Sequence, residues 1–289
     1  MDEKGRILAG FTPDDIEYVL SRELTAAANY NRHAVPTAIL LAGQPGAGKT
    51  VLSAMLNQVL HDDTFLINAD EYRRFHPNYK KLNALYGSDS VQMTAEFSSQ
   101  VTERLILELS KMRRNLIIEG TGRTVEVPRS TAELLSGKGY TVELAVIAAR
   151  PELSLISTLL RFYQMNERGT IPRATAVSAH DVVVDALPDN LDALWHESKI
   201  SRITIWDRKQ QLLYDSGSDR SAPSVILREY WGREWSVEEQ EMARAQIDRL
   251  YEMEQRENLG QTALIQEAER RVAAAVQREE PFQGLELKF

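Results

Sequence analysis

The octapeptide Gly43-Gln44-Pro45-Gly46-Ala47-Gly48-Lys49-Thr50 constrains this chain more than any other stretch. It follows the apolar run Thr37-Ala38-Ile39-Leu40-Leu41-Ala42 and precedes Val51 to Leu60, whose spacing predicts a helix. This is the G-x-x-x-x-G-K-[ST] pattern in a strand–loop–helix setting, where it marks a phosphate-binding loop. Glycines let successive backbone N–H groups turn inward around a phosphate with no Cβ in the way. The helix start adds unpaired N–H groups and the positive end of its dipole. Lys49 suits the β- and γ-phosphates, and the Thr50 hydroxyl suits Mg2+. The alternative is a chance Gly-rich turn, and strand, loop and helix all in register argue against it. The stretch predicts a nucleoside triphosphate site.

The rest of the chain alternates in the same way. Thr12 to Asp15 reads as a capped helix start, followed by Ile16, Val19, Leu20 and Leu24 at helical spacing. Strands are predicted at 65–70, 116–118, 142–149 and 202–206, with 211–214 returning as a hairpin. Helices are predicted at about 90–112, 128–135, 153–165 and 177–186. Such alternation means an α/β fold: a parallel sheet carrying the P-loop and flanked by helices, with the ligand at the C-terminal ends of the strands. A helical N-terminal segment precedes the sheet, and a helical C-terminal tail follows it. Residues 1–235 read as the P-loop domain with its N-terminal helix, and 236–289 as an amphipathic extension split near Gly260.

Composition sets outer limits. The 289 residues carry a formal net charge of −8, which argues against broad nucleic-acid or anionic-membrane binding. There is no cysteine, so disulfides and thiolate chemistry are excluded. No apolar run approaches the ~20 residues of a membrane helix, and the N-terminus does not read as a signal peptide, so a cytoplasmic protein is expected. The five histidines lack metal-ligand spacing. The single D-x-x-G, at Asp2 to Gly5, precedes the phosphate loop and has no N-K-x-D after it, against a GTPase switch.

Two acids stand at predicted strand ends, Asp70 and Glu119. Asp70 could take a proton from an acceptor hydroxyl, or serve only as an ion-pair partner for Arg73. Glu119 could accept two sugar hydroxyls or orient a metal-bound water, or simply pair with Arg123. Thr121 and Arg123 share its loop. Arg161, on a helix, and Arg173, on a following loop, suit a clamp on a transferring phosphoryl group, although solvated surface arginines are commoner. Glu103 lies on the long helix, where a solvated face is the plainer reading.

These motifs together resemble the zeta toxins, P-loop kinases of bacterial toxin–antitoxin systems. The resemblance rests on the phosphate loop; on Asp70 with Phe75-His76-Pro77-Asn78-Tyr79; on Glu119-Gly120-Thr121-Gly122-Arg123-Thr124 with Val127-Pro128; and on Pro172-Arg173-Ala174-Thr175. It spans about Phe11 to Trp235. It implies transfer of the ATP γ-phosphate to the 3′-hydroxyl of UDP-N-acetylglucosamine, which blocks cell-wall precursor synthesis. It further implies that Lys49 holds the β/γ-phosphates, Thr50 the Mg2+, and Asp70 the acceptor proton. Glu103, Glu119, Thr121 and Arg123 would bind the sugar nucleotide, and Arg161 and Arg173 would clamp the γ-phosphate, with Arg168 as the alternative lid arginine. A separate small helical antitoxin would block the nucleotide site. The rival readings are a kinase for another hydroxyl, such as an antibiotic or nucleoside, and a nucleotide-dependent binding module.

Overall fold

The computed structural model describes residues 2–172 and 175–277. The chain opens with helices α1 (Glu3–Leu8) and α2 (Pro13–Ala27). Thr12 and Asp15 exchange side-chain and backbone bonds in a capping box with Pro13 at the first turn, so α2 begins where its sequence dictates. Strand β1 (Thr37–Ala42) leads through the phosphate loop into α3 (Lys49–Val59), and β2 (Thr64–Asn68) into α4 (Ala69–Tyr72). Then come α5 (Tyr79–Tyr86), α6 (Ser90–Met93), α7 (Ala95–Met112), β3 (Asn115–Glu119) and α8 (Glu126–Gly137). They are followed by β4 (Thr141–Ala148), α9 (Pro151–Glu167), α10 (Val177–Trp195), β5 (Arg202–Asp207) and β6 (Leu212–Asp215). The helices α11 (Pro223–Gly232), α12 (Val237–Glu257) and α13 (Thr262–Gln277) complete the described chain.

The sheet order is β2-β3-β1-β4-β5-β6. Strands β1 to β5 pair in parallel, and β6 returns antiparallel to β5 with an irregular register at Ile205/Trp206. Both faces of the sheet are covered, which is why its strands read as continuous apolar runs. On β1, Ala38, Leu40 and Ala42 join the larger core with residues of α2, α7 and α10. Ile39 and Leu41 pack on the other side with Leu52 and Leu56 of α3. The strands β1 and β3 run side by side so that Leu41 faces Glu119, and Glu119 faces Asn68 of β2. This register gathers the loop after β1, Glu119 and Asn68 at one edge.

Three expectations are corrected by packing. The helix predicted from 90 to 112 breaks at Thr94, where the Arg73 guanidinium takes the Val91 carbonyl at 2.5 Å. An unbroken helix would offer that carbonyl to the Ala95 N–H. The helix predicted to end near 186 runs on to Trp195 through Pro188, because Leu187, Leu191 and Leu194 continue its buried face. A proline inside a helix costs about 3 kcal/mol, and this apolar burial offsets it. Strand β2 ends at Asn68 rather than at residue 70, because the Asn68 side chain accepts the Asp70 N–H at 3.0 Å and opens α4.

The tail covers α9. Leu153, Ile156, Leu159 and Tyr163 pack against Ile247, Leu250 and Met253 of α12 and Ile265, Ala268 and Val272 of α13. A buried Glu254 of α12 ties α9 to the start of α13: it accepts the Tyr163 hydroxyl at 2.7 Å, the backbone N–H groups of Leu259 and Gln261 in the intervening turn at 3.0 and 2.8 Å, and the Thr262 hydroxyl at 3.3 Å. Gly260, at φ +74°, lies in the turn between α12 and α13, as expected.

Candidate active site

The phosphate loop needs its glycines for contact as well as conformation. Gly46 has φ +75°, and a Cβ there would lie 2.1 Å from the Ser154 carbonyl oxygen in the first turn of α9. Gly48 (φ +108°) stands at the N-cap of α3 and supplies no side-chain cap. The first turn of α3 thus keeps donors for an anion.

Lys49 is nearly buried and folds back on its own loop, donating to the carbonyls of Gly43 at 2.8 Å and Gln44 at 3.4 Å. Its Nζ lies 4.0 Å from Glu119 Oε1. Burial pulls the Lys49 ammonium below the ordinary lysine range, against the attraction of Glu119 and Asp70, while Arg161 adds to the lowering. Burial likewise raises Glu119, opposed by Lys49 and Arg161. The other Glu119 oxygen accepts from Asn68 Nδ2 at 2.7 Å. Lys49, Glu119, Asp70 and Arg161 therefore share one electrostatic site, although they come from four separate elements.

Beside this group opens a cavity of about 270 Å³. Thr50 and Glu119 line one part of it, with Asn68, Glu71, Tyr72 and Arg74 from the β2–α4 region and Glu23 and Leu66 around them. Its size suits a sugar-sized group, near the small end of ligand clefts.

The predicted residues fall in different places. Asp70 lies in the first turn of α4, is 59% exposed, and accepts Arg73 Nε at 2.9 Å. Its pairing with Arg73 thus coexists with its influence on Lys49. No Glu119–Arg123 pair occurs among the described residues; Lys49 and Asn68 take that place. Thr121 and Arg123 are exposed on the loop after β3, and the Thr121 carbonyl accepts the Gly43 N–H at 3.1 Å. Glu103 is exposed on α7, accepts the Ser99 hydroxyl at 3.1 Å, and does not line the cavity. Arg161 is exposed on α9, and Arg168 caps that helix. Arg173 and residues 278–289 of the predicted extension lie outside the described residues.

Sequence reasoning read Gln44 as part of the phosphate loop but did not single out the groups that brace it. Gln44 is fully buried, and its Nε2 donates to the Ala149 carbonyl at 2.7 Å and to Ser154 Oγ at 3.2 Å. Ser154 Oγ lies 2.7 Å from His180 Nε2, and His180 Nδ1 lies 3.2 Å from Asp181. Asp181 accepts both ends of the Arg271 fork at 2.7 and 2.8 Å. Burial holds the His180 pKa down, consistent with a neutral ring that accepts from Ser154 and donates to Asp181. Ser154, His180 and Asp181 have the residue types of a hydrolytic triad, yet Ser154 and His180 are 0% exposed, which denies a substrate any approach. They form a bonded chain from α13 to the phosphate loop. Only the contact across the fold marks them out.

Residues 21–219 match the Zeta toxin family. The chain is 39% identical over 247 residues to Toxin PezT of Streptococcus pneumoniae serotype 4 (strain ATCC BAA-334 / TIGR4), covering 84% of this chain and 97% of that protein. It is 38% identical over 195 residues to Toxin zeta of Streptococcus pyogenes, 67% of each. A solved structure from the PezAT chromosomal toxin-antitoxin system of Streptococcus pneumoniae superposes with a TM-score of 0.76 at 36% identity, covering 85% of this chain and 98% of that one. The chain belongs to the zeta toxin family.

Proposed function

We propose that this protein is a toxin kinase that transfers the γ-phosphate of ATP to the 3′-hydroxyl of the sugar in UDP-N-acetylglucosamine and so blocks cell-wall precursor synthesis. One observation carries the reading: Lys49 of the phosphate loop and Glu119 at the cavity wall lie 4.0 Å apart, with Asp70 and Arg161 acting on both. A donor site and an acceptor site thus meet at one point.

The residues fit the two substrates. The glycine cradle leaves no room for a Cβ beside α9 and favours a polyphosphate. Lys49 would exchange its bonds to the loop carbonyls for the β- and γ-phosphates. Thr50 would hold Mg2+, which neutralises charge on those phosphates when bound. Glu119 and Asn68 would bind sugar hydroxyls in the cavity. Asp70 would take the 3′-hydroxyl proton as the sugar oxygen bonds to the γ-phosphorus and the bond to the ADP oxygen breaks. Arg161 would spread the charge of the transferring group, and Arg173 is proposed to join it. Thr121, Arg123 and Glu103 are proposed contacts for the remainder of the sugar nucleotide. By analogy with the PezAT toxin-antitoxin system, a separate antitoxin would restrain the enzyme.

The cavity holds a sugar more readily than a whole sugar nucleotide. This size keeps a second acceptor class, another small hydroxyl compound, in view. The test is ADP release from Mg-ATP with and without UDP-N-acetylglucosamine, with the products weighed by mass spectrometry. Acceptor-dependent ADP and a sugar nucleotide heavier by one phosphate are expected. ADP without that product would overturn the acceptor, and ATP binding without turnover would favour a binding module.

A further inference from the structure

The turn from β5 to β6 carries Arg208, a residue outside every motif of the sequence. The turn is rigidly bonded: Asp207 N–H donates to the Gln211 carbonyl at 3.0 Å, and Gln211 N–H donates to Asp207 Oδ1 at 2.8 Å. From this base Arg208 reaches the outer side of the phosphate loop. Its Nε donates to the Ala47 carbonyl at 3.1 Å, and its Nη2 donates to the Gly46 carbonyl at 2.5 Å and to Ser157 Oγ at 3.2 Å. The surrounding cations have acids: Arg202 pairs with Asp215, Lys209 with Glu238, and Arg233 with Glu239. Among the described residues no carboxylate lies within ion-pair distance of the Arg208 guanidinium. Burial disfavours its charge, opposed by Tyr230, and no carboxylate among the described residues pairs with it.

A trans peptide carries its C=O and N–H on opposite sides. A guanidinium that fixes the Ala47 carbonyl therefore fixes the direction of the Gly48 N–H across the same plane. The neighbouring plane is held twice, by Arg208 on the Gly46 carbonyl and by the Ala47 N–H, which donates to Gln44 at 3.1 Å. We propose that Arg208 is a positioning residue for the triphosphate, holding the loop's peptide planes from behind while its unneutralised charge awaits the polyphosphate as counter-charge. This inference rests on the reading of the loop as a polyphosphate site.

The role has a signature that structural glue lacks. Removing a half-buried cation whose hydrogen bonds go to neutral acceptors is expected to cost the ligand-free protein little, while weakening polyphosphates alone. The experiment compares Arg208→Gln and Arg208→Lys with the parent protein, by thermal unfolding without ligand and by titration with Mg-ADP, inorganic pyrophosphate and adenosine. In Arg208→Gln, ADP and pyrophosphate are expected to weaken about tenfold to a hundredfold, the scale of lost charged hydrogen bonds, with adenosine unchanged and the melting temperature lowered by no more than a few degrees. Arg208→Lys keeps the charge without the fork, so its loss is expected to be smaller. ADP affinity within twofold of the parent in Arg208→Gln would overturn the proposal, as would equal weakening of adenosine, which would mark a base contact. If Arg208→Gln fails to fold, Arg208→Lys decides: a lower melting temperature with unchanged pyrophosphate affinity makes Arg208 structural only. A parent protein that binds neither ADP nor pyrophosphate overturns the polyphosphate reading itself, and this proposal with it.

Discussion

Asp70 sits on an arginine that is itself anchored. Arg73 is only 13% exposed and reaches the carbonyl of Val91 at the break between α6 and α7. This anchoring orients an otherwise exposed carboxylate, as the proposed role of general base would require. Asp70→Asn preserves size and an oxygen acceptor for Arg73 but removes the basicity. Turnover is expected to fall about 10²–10⁴-fold, the usual contribution of such a base, with ATP affinity and melting temperature nearly unchanged. Steady-state kinetics beside a melting curve checks this. Undiminished turnover would give the proton to another group.

At the scale of elements, the phosphate loop and α9 form a single packed unit. Gly46→Ala puts a Cβ on a left-handed residue and drives it into the Ser154 carbonyl, a backbone atom with little freedom to yield. The strain of a non-glycine residue there, roughly 1–2 kcal/mol, adds to an overpacking cost of about 1–3 kcal/mol. A destabilisation of about 2–5 kcal/mol with loss of ADP binding is expected, read by chemical denaturation and nucleotide titration. What sequence could foresee follows the same boundary. The strand, loop and helix around Lys49 were legible because their signals are local: apolar runs, glycine spacing and a helix start. The short helix α5 was missed, and so was α11, although Pro223 at its first turn was a readable start signal. Asp70 was placed one element too early because the capping role of Asn68 went unnoticed. Arg208 and the loop carbonyl it holds are 162 positions apart, and no local pattern reports such a contact.

At the scale of the whole molecule, the C-terminal helices belong to the support of the site. The Arg271–Asp181–His180–Ser154–Gln44 chain begins on α13 and ends in the phosphate loop. Arg271→Ala removes a two-pronged ion pair in which both side chains are about one-third exposed. The stability cost is expected to be modest, about 1 kcal/mol or less after solvent screening. If the chain holds Gln44 in place, the KM for ATP rises severalfold while kcat changes less, as nucleotide titration and initial rates would show. An unchanged KM would confine the chain to a structural role. The same arrangement bears on when the protein acquires its activity. A ribosome that has just released α9 holds a chain whose nucleotide site still lacks its backing, and the apolar partners of that helix are encoded far downstream. The nascent chain is therefore expected to bind nucleotide weakly until α12 and α13 have left the exit tunnel and packed on α9.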